Sequence, residues 1–416
     1  MSGFMATRLK AGWLVDDKLQ GVLAALNVEG DEARIVGGAI RNTLLGVPVS
    51  DIDIATTARP ETVVERAEAA GFRAIPTGIE HGTVTLVVAH TPFEVTTLRE
   101  DIETFGRKAT VRFGRDWEAD ARRRDFTMNA LYAGADGTVY DLVGGRADCL
   151  SRKVRFIGDA DARIHEDYLR ILRFFRFHAS YGDGPIDREG LLAAVRGRSG
   201  LRHLSAERIG QEMRRLAMAP GGAATTRIMA DSGILQIVLG GIGSPETLGR
   251  LTALAANLPA SLDAALAHAA LSARIPEDAE RVAERLRLSN EVRRRMVKVL
   301  RLAPGLSADM GEAAARLALY RSDAETFRGA VLLAWAWSDA AGDDAGWRDL
   351  FGLAGRWPVP RFPVSGRDLV ALGIPSGPAV GELLARVEDW WIGEGFSPGR
   401  DAALDYARSL IADEVE

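Results

Sequence analysis

Two aspartates spaced by one residue, in Asp51-Ile52-Asp53-Ile54, are the first side chains whose types and spacing have a chemical use. In an extended strand they share one face, roughly 7 Å apart, and leave Ile52 and Ile54 on the other. Paired hard oxygen donors suit Mg²⁺. The same spacing also fits an amphipathic edge strand with solvated acids, so what stands ten residues earlier matters. There, Val36-Gly37-Gly38-Ala39-Ile40-Arg41 puts two glycines after a short strand. The backbone can turn tightly and approach a ligand, and the helix that follows offers free N–H groups to a phosphate. Arg41 adds a guanidinium fork for the same anion. A phosphate cradle beside a metal pair reads as one functional object. Glu94, which shares a face with Thr96 in Phe93-Glu94-Val95-Thr96, is either a third acid from a neighbouring strand or a surface acid on an edge. His81, in Gly78-Ile79-Glu80-His81-Gly82, reads as a turn histidine bonded to backbone.

The second constellation is a helix over residues 166–177. From Tyr168 to Phe177, seven positions are apolar and the other three are Arg170, Arg173 and Arg176. A solvated helix face mixes Glu, Lys and Gln, whereas this is a charged stripe walled by apolar surface. Such arginines are costly unless they meet acids or an anionic ligand. An ion pair between Asp167 and Arg170, three residues apart, is the simplest structural reading. It leaves Arg173 and Arg176 unexplained. The functional reading is a base-recognising edge, in which the Asp167 carboxylate accepts beside the Arg170 guanidinium that donates. Cytosine and adenine both present an amino donor next to a ring-nitrogen acceptor and fit that edge. Guanine and uracil reverse the order and would set like against like.

These residues need a scaffold of two kinds. Short β-branched runs recur from about Ile35 to Tyr140, punctuated by Gly, Pro and Asp and separated by helical stretches such as ETVVERAEAAG, which predicts a small mixed sheet with helices on it. Beyond about residue 160 the strand signal fades. Helical periodicity predicts helices over 161–179, 205–218, 223–238, 246–257, 277–303 and 311–340. The fold class is therefore α+β, a sheet-bearing head followed by an all-α remainder. At 416 residues the chain exceeds what one core serves. Hydrophobic residues at 47% and charged residues at 26% exclude a disordered or fibrous chain. A net charge of −5 excludes coating of nucleic acid by bulk charge, so any nucleic-acid site must be local. Cys149 is the only cysteine, which excludes an internal disulfide framework and a thiolate zinc cluster. A reducing cytoplasm is the expected location, with no signal peptide or membrane span in the pattern.

The segments GGAIRNTLLGVPVSDIDIAT, FEVTTLRED, DARRRDFTMNALY, GGRADCLSRKVRFIGDADARIHEDYLRILRFFRF and LSAERIGQEM follow one another over roughly residues 34–215. Together they resemble the class II tRNA nucleotidyltransferases, the CCA-adding enzymes and their bacterial poly(A) polymerase relatives. The resemblance implies a polymerase-β-like nucleotidyltransferase head over 1–145, a neck of base-recognition and RNA-binding helices over 146–218, and a helical, tRNA-binding body and tail over 219–416. It implies that Asp51 and Asp53 are metal ligands, with Glu94 beside them in catalysis. It implies nucleotide contacts from Gly37, Gly38, Arg41, Arg124, Asp125 and Asn129, a base template in Asp167 and Arg170 that Glu166 helps orient, and triphosphate partners in Arg173 and Arg176. Asn42 stands where many members carry Asp.

The expected activity is addition of C, C and A to the tRNA 3′ end from CTP and ATP, with two Mg²⁺ ions and release of pyrophosphate. Poly(A) addition, partial CC- or A-addition, and a catalytically silent RNA-binding protein are the alternatives. The segment Glu100 to Asp116, with Phe105-Gly106-Arg107, lies where the family keeps a flexible loop needed for the switch to A, and its presence favours the complete activity. No His-Asp dipeptide occurs, so the phosphohydrolase domain appended to some bacterial members is not expected. In the C-terminal half, Arg293-Arg294-Arg295 with Lys298 fits a solvated face or a tRNA-backbone contact. Residues 362–378 resemble a tail segment of bacterial members. Trp335, Trp337, Trp390 and Trp391 read as core.

Overall fold

The computed structural model describes residues 8–105 and 108–413, with backbone alone for 100–105, 108–111 and 413. Phe105-Gly106-Arg107 therefore falls partly outside the described residues. The chain divides into two compact units, 1–246 with 284–288, and 247–283 with 289–416.

The first unit opens on a seven-stranded mixed sheet. Its strands are β1 (Ala33–Val36), β2 (Asp53–Thr56), β3 (Arg73–Gly78), β4 (Thr83–Val88), β5 (Thr91–Thr97), β8 (Leu131–Ala133) and β9 (Val139–Asp141), in the spatial order β3-β4-β5-β2-β1-β8-β9. A separate ribbon pairs β6 (Arg99–Phe105) with β7 (Lys108–Phe113). The β-branched runs form the strands expected of them. β3, β8 and the β6–β7 ribbon escape the sequence pattern: β3 carries a proline and two of its six residues are Thr77 and Gly78, β8 is three residues long, and β6 and β7 fall in the segment expected to be a loop.

Two expectations about local structure need correction. Asp51 is not on a strand, because β2 begins at Asp53 and Asp51 lies in the exposed segment leading into it. The arginine-striped helix does not begin at Glu166. Ala160–Glu166 and Leu169–Tyr181 are two helices, and Asp167 between them is extended (φ −155°, ψ 107°). The break is local chemistry: the Asp167 Oδ1 accepts the backbone N–H of Leu169 at 3.1 Å, capping the second helix. Three other expected helices are also split. Arg287 (φ 49°) and Ser289, which accepts Val292 N–H at 3.3 Å, divide 277–303 into Pro276–Leu286 and Asn290–Leu302. Gly233 in the left-handed region (φ 73°) divides 223–238. Asp323, which accepts Thr326 N–H at 2.7 Å, starts a new helix, Ala324–Trp337, inside 311–340.

The regular elements described in the second unit are all helices. Trp335 and Trp391 are buried as expected, while Trp337 and Trp390 are half-buried. Residues 362–378 belong to a small core in which Val364, Leu369, Leu383, Val387, Ala403, Leu404 and Ala407 pack together. In the Arg293–Lys298 run, Arg293 pairs with Glu280 (2.7 Å), Arg295 with Asp263 and Glu325 (2.7 Å each) and Lys298 with Asp323 (3.5 Å). Among the described residues no helix is long and apolar enough to cross a membrane.

Candidate active site

Sheet register builds the acidic corner. β1 pairs antiparallel with β2 so that Val36 stands opposite Asp53, and β5 pairs parallel with β2 so that Asp53 stands opposite Glu94. Directly opposite residues point to the same face, and neighbouring strands lie about 4.8 Å apart. Asp53 and Glu94 are therefore adjacent carboxylates, and Val36 delivers the chain into the Gly37-Gly38 turn beside them. Gly37 has φ 71°, a conformation open to glycine, and a Cβ there would stand 3.3 Å from the Asn129 carbonyl oxygen. Gly38 opens the helix Gly38–Leu45.

The Asp53 residue is exposed at the start of β2, with the rest of the strand buried behind it. The surrounding protein mass raises its pKa first, the Glu94 and Asp51 carboxylates add to that, and the Arg124 guanidinium opposes it. Ser50 Oγ donates to Asp51 at 2.9 Å. Among the described residues no three His, Cys, Asp or Glu side chains converge as a complete metal cage. An open carboxylate pair that leaves most coordination positions to water and substrate oxygens is nonetheless a usual arrangement for Mg²⁺. The repulsion that raises Asp53 is what a bound divalent cation relieves, so the donor set fits one.

Arg41 is 7% exposed and is held by neutral groups: it donates to Asn129 Oδ1 (2.5 Å), Asn42 Oδ1 (2.9 and 3.1 Å) and the Tyr181 hydroxyl (2.8 Å). Burial lowers its pKa. Asn42, the departure noted in the sequence, thus hydrogen-bonds the guanidinium without neutralising it. Asn129 donates onward to Asp125 Oδ1 at 3.0 Å. The other Asp125 oxygen accepts from Arg173 through Nε (2.8 Å) and Nη2 (2.5 Å). Burial pushes the Asp125 pKa up, but Arg173, Asn129 and the Phe126 N–H outweigh it and hold the carboxyl below the usual range. Arg176 pairs with Glu212, which is 5% exposed. The arginine stripe is thereby explained by acids from elsewhere in the chain.

Asp167 and Arg170 stand in sequence where a template edge was expected; the Arg170 backbone N–H donates to the Asp167 carbonyl at 2.9 Å, but their side chains are not bonded to one another. Asp167 Oδ2 accepts from Arg208 at 2.6 Å. Arg170 pairs with Glu166 and donates to the carbonyls of Arg163 (2.9 Å) and Arg123 (3.3 Å). His81 closes the short turn Ile79–His81 as expected, but its ring lies 3.8 Å from Glu80 Oε1 and not on backbone, while its carbonyl accepts from Arg99. Sequence reasoning missed Arg208, Glu212 and Tyr181, along with Asp120, which joins Arg123, Arg124 and Tyr132. Glu212 had a signal, since it falls on the stripe of Ile209, Met213 and Leu216, where a charge requires a partner. Arg208 and Tyr181 had none.

A mixed sheet that sets adjacent carboxylates beside a glycine turn, with an arginine-lined helix in the same unit, defines a nucleotidyltransferase head. Residues 33–155 match the family described as Poly A polymerase head domain. The chain is 33% identical over 404 residues to CCA tRNA nucleotidyltransferase 1, mitochondrial, of Mus musculus, covering 95% of this chain and 91% of that one. It is 39% identical over 236 residues to the CCA-adding enzyme of Geobacillus thermodenitrificans, covering 56% and 57%. The crystal structure of Bacillus stearothermophilus CCA-adding enzyme in complex with CTP superposes with a TM-score of 0.77 at 28% identity, over 95% of this chain and 98% of that one. The chain belongs to the CCA-adding tRNA nucleotidyltransferase family, and enzymes of this family use a divalent metal.

Proposed function

We propose that this protein is a nucleotidyltransferase that adds C, C and A to the 3′ end of tRNA, taking CTP and ATP and releasing pyrophosphate, with two Mg²⁺ ions at Asp51 and Asp53. The observation that carries the reading is the register of β1, β2 and β5, which sets Asp53 beside Glu94 and next to the Gly37-Gly38 turn. When bound, Mg²⁺ supplies activation of the attacking 3′-hydroxyl and neutralises charge on the transferred phosphate and its leaving group. Asp51 and Asp53 hold the ions, and Glu94 adds negative charge that favours their binding. The Gly37-Gly38 turn lets phosphate approach the backbone. Arg41, Arg124, Arg173 and Arg176 supply positive charge to the nucleotide, with Asp125 and Asn129 fixing Arg173 and Arg41.

Asp167 and Arg170 read the base. Their partners leave them capacity to do so. The Asp167 carboxylate retains free lone pairs, and Arg170, with three of its five N–H groups engaged, keeps Nε–H and one Nη2–H. An acceptor next to a donor selects cytosine and adenine and rejects guanine and uracil. We divide the chain into a head over 1–145, a neck over 146–218 and a tRNA-binding body and tail over 219–416, and we place it in the cytoplasm, where a single buried thiol stays reduced.

Poly(A) addition and partial addition are not favoured, since the relatives that match across most of the chain are CCA-adding enzymes. The test is incubation with tRNA transcripts ending before CCA, at CC and at CCA, supplied with CTP, ATP or both. Transcripts are expected to lengthen to CCA and stop. Long A tails, or arrest at CC with both nucleotides present, would overturn the reading.

A further inference from the structure

One buried carboxylate in the head has no part in the chemistry above. Asp120, 1% exposed on the helix Trp117–Arg122, serves two guanidiniums at once. Its Oδ1 accepts from Arg123 through Nε (2.8 Å) and Nη2 (2.5 Å). Its Oδ2 accepts from Arg124 through Nε (3.2 Å) and Nη2 (3.0 Å) and from the Tyr132 hydroxyl (2.7 Å). Burial alone would raise its pKa, yet Arg124, Arg123 and Tyr132 outweigh burial and hold it low.

The two arginines then lead to different ends of the candidate site. Arg124 is gripped along its Nε/Nη2 edge, which leaves Nη1 turned to the glycine turn, 4.0 Å from where a Gly37 Cβ would stand. Its charge also acts on Asp53. Arg123 offers its backbone carbonyl to Arg170 Nη2 at 3.3 Å. The anchor is fixed by the sheet itself. Tyr132 stands opposite Val36, which stands opposite Asp53, so the hydroxyl that holds Asp120 grows from the same lateral row as the metal-binding acid. Trp117 closes the arrangement by packing edge-on against Tyr132 at 5.2 Å.

We infer that Asp120 is a positioning residue that fixes the spacing between the phosphate end and the base end of the incoming nucleotide, through Arg124 on one side and the Arg123 carbonyl and Arg170 on the other. The inference rests on the proposed role of Arg124 at the nucleotide. It makes two demands that a merely stabilising ion pair does not. Loss of Asp120 must act through Arg124 on nucleotide affinity, and it must loosen base choice through Arg170.

The experiment measures kcat and KM for CTP and ATP on tRNA lacking CCA, together with UTP misincorporation, for Asp120→Asn, Arg124→Ala and the double variant. Melting temperatures are recorded alongside. Asp120→Asn is expected to raise KM for both nucleotides about 10-fold, the scale of a lost buried hydrogen bond to a charged group. In the Arg124→Ala background it is expected to change kcat/KM for CTP by less than about 2-fold, since residues acting through one another are not additive. UTP misincorporation is expected to rise about 5-fold with Asp120→Asn and to stay put with Arg124→Ala. Multiplicative effects in the double variant, an unchanged KM, or unchanged base choice would overturn the inference. An Arg124→Ala variant with wild-type KM would instead remove the role of Arg124 and the inference with it. If Asp120→Asn does not fold, Tyr132→Phe in the same cycle takes its place, with KM expected to rise about 3-fold alone and not at all beside Arg124→Ala.

Discussion

Asp51, Asp53 and Glu94 in the head, and Arg170, Arg173 and Arg176 on the helix Leu169–Tyr181, are triads of opposite charge in one structural unit, treated oppositely by the fold. Each arginine is met by an acid, Glu166, Asp125 and Glu212 in turn. The acids form no ion pair among the described residues, and at Asp53 burial, then the Glu94 and Asp51 carboxylates, raise the cost of ionising, with Arg124 in opposition. The cationic side is held rigid before any ligand arrives. The anionic side is left in repulsion, a local cost that the bound form recovers. A reaction that brings a polyanion together with divalent cations asks for this asymmetry, because the metal enters with its substrate and the arginines must already be in place.

The largest effect should come from emptying the acidic side. Asp53→Ala is expected to reduce nucleotide incorporation at least about 1,000-fold, a loss of several kcal/mol of charge stabilisation, while leaving tRNA retention on a filter unchanged. Near-normal incorporation would remove the metal role. On the cationic side, Asp125→Ala leaves Arg173 and Asn129 without their acceptor and is expected to cost about 3 kcal/mol in urea denaturation. That is the low end for breaking a buried pair, since Arg173 is 32% exposed. A midpoint unchanged from wild type would show the arginine side to be no more rigid than the acidic one.

The two regions should also differ in the sign of their response. Asp53→Asn removes repulsion and is expected to stabilise the metal-free protein slightly, by under about 1 kcal/mol. Mg²⁺ at about a hundred times its Kd should stabilise the wild type by about 2.7 kcal/mol and the variant much less. Thermal denaturation with and without chelator reads both. Equal metal responses would place the ion elsewhere. Asp167→Ala is expected to admit U and G about 10-fold more readily relative to C, without unfolding, when the four nucleotides are offered singly. Strict preference for C and A in that variant would end the template reading.

The smallest effect is in pH. Asp125 and Asp120 have lowered pKa values, so their stabilisation is fully present above the unfolded value near about 4 and is lost as pH falls through their folded values. Asp53, with a raised value, has the reverse sign, and its protonation on acidification relieves the fold. Melting temperatures of wild type and Asp125→Asn between neutral and acid pH should therefore converge on acidification.

Much of the head was legible because its signals are local. Alternating β-branched residues located β2, β4 and β5, and the Gly37-Gly38 turn located the cradle. The adjacency of Asp53 and Glu94 was only half legible: spacing put Glu94 on a strand, but the pairing of β2 with β5 is a long-range choice that spacing does not encode. Asp51 and Asp167 were misplaced for different reasons: β2 begins at Asp53, opposite the last residue of β1, whereas the Asp167 side chain bonds the backbone two residues on and breaks the helix. The partners of the arginine stripe were illegible because Asp125 and Glu212 lie 48 and 36 residues from the arginines they meet. Repeating i,i+3 patterns report only what a helix does alone.

The chain's only sulfhydryl, Cys149, lies fully covered with its sulfur 3.8 Å from the Arg41 carbonyl oxygen, and burial pushes its thiol up to about 11. At neutral pH it is almost entirely protonated and shut off from reagents. The native protein is thus silent to maleimides, and a cysteine introduced on an exposed helix face, such as Arg294→Cys, becomes its one reactive handle. Labels and cross-linkers can then be set down residue by residue to trace the path of the RNA across the helical half without first stripping the enzyme of its own sulfur.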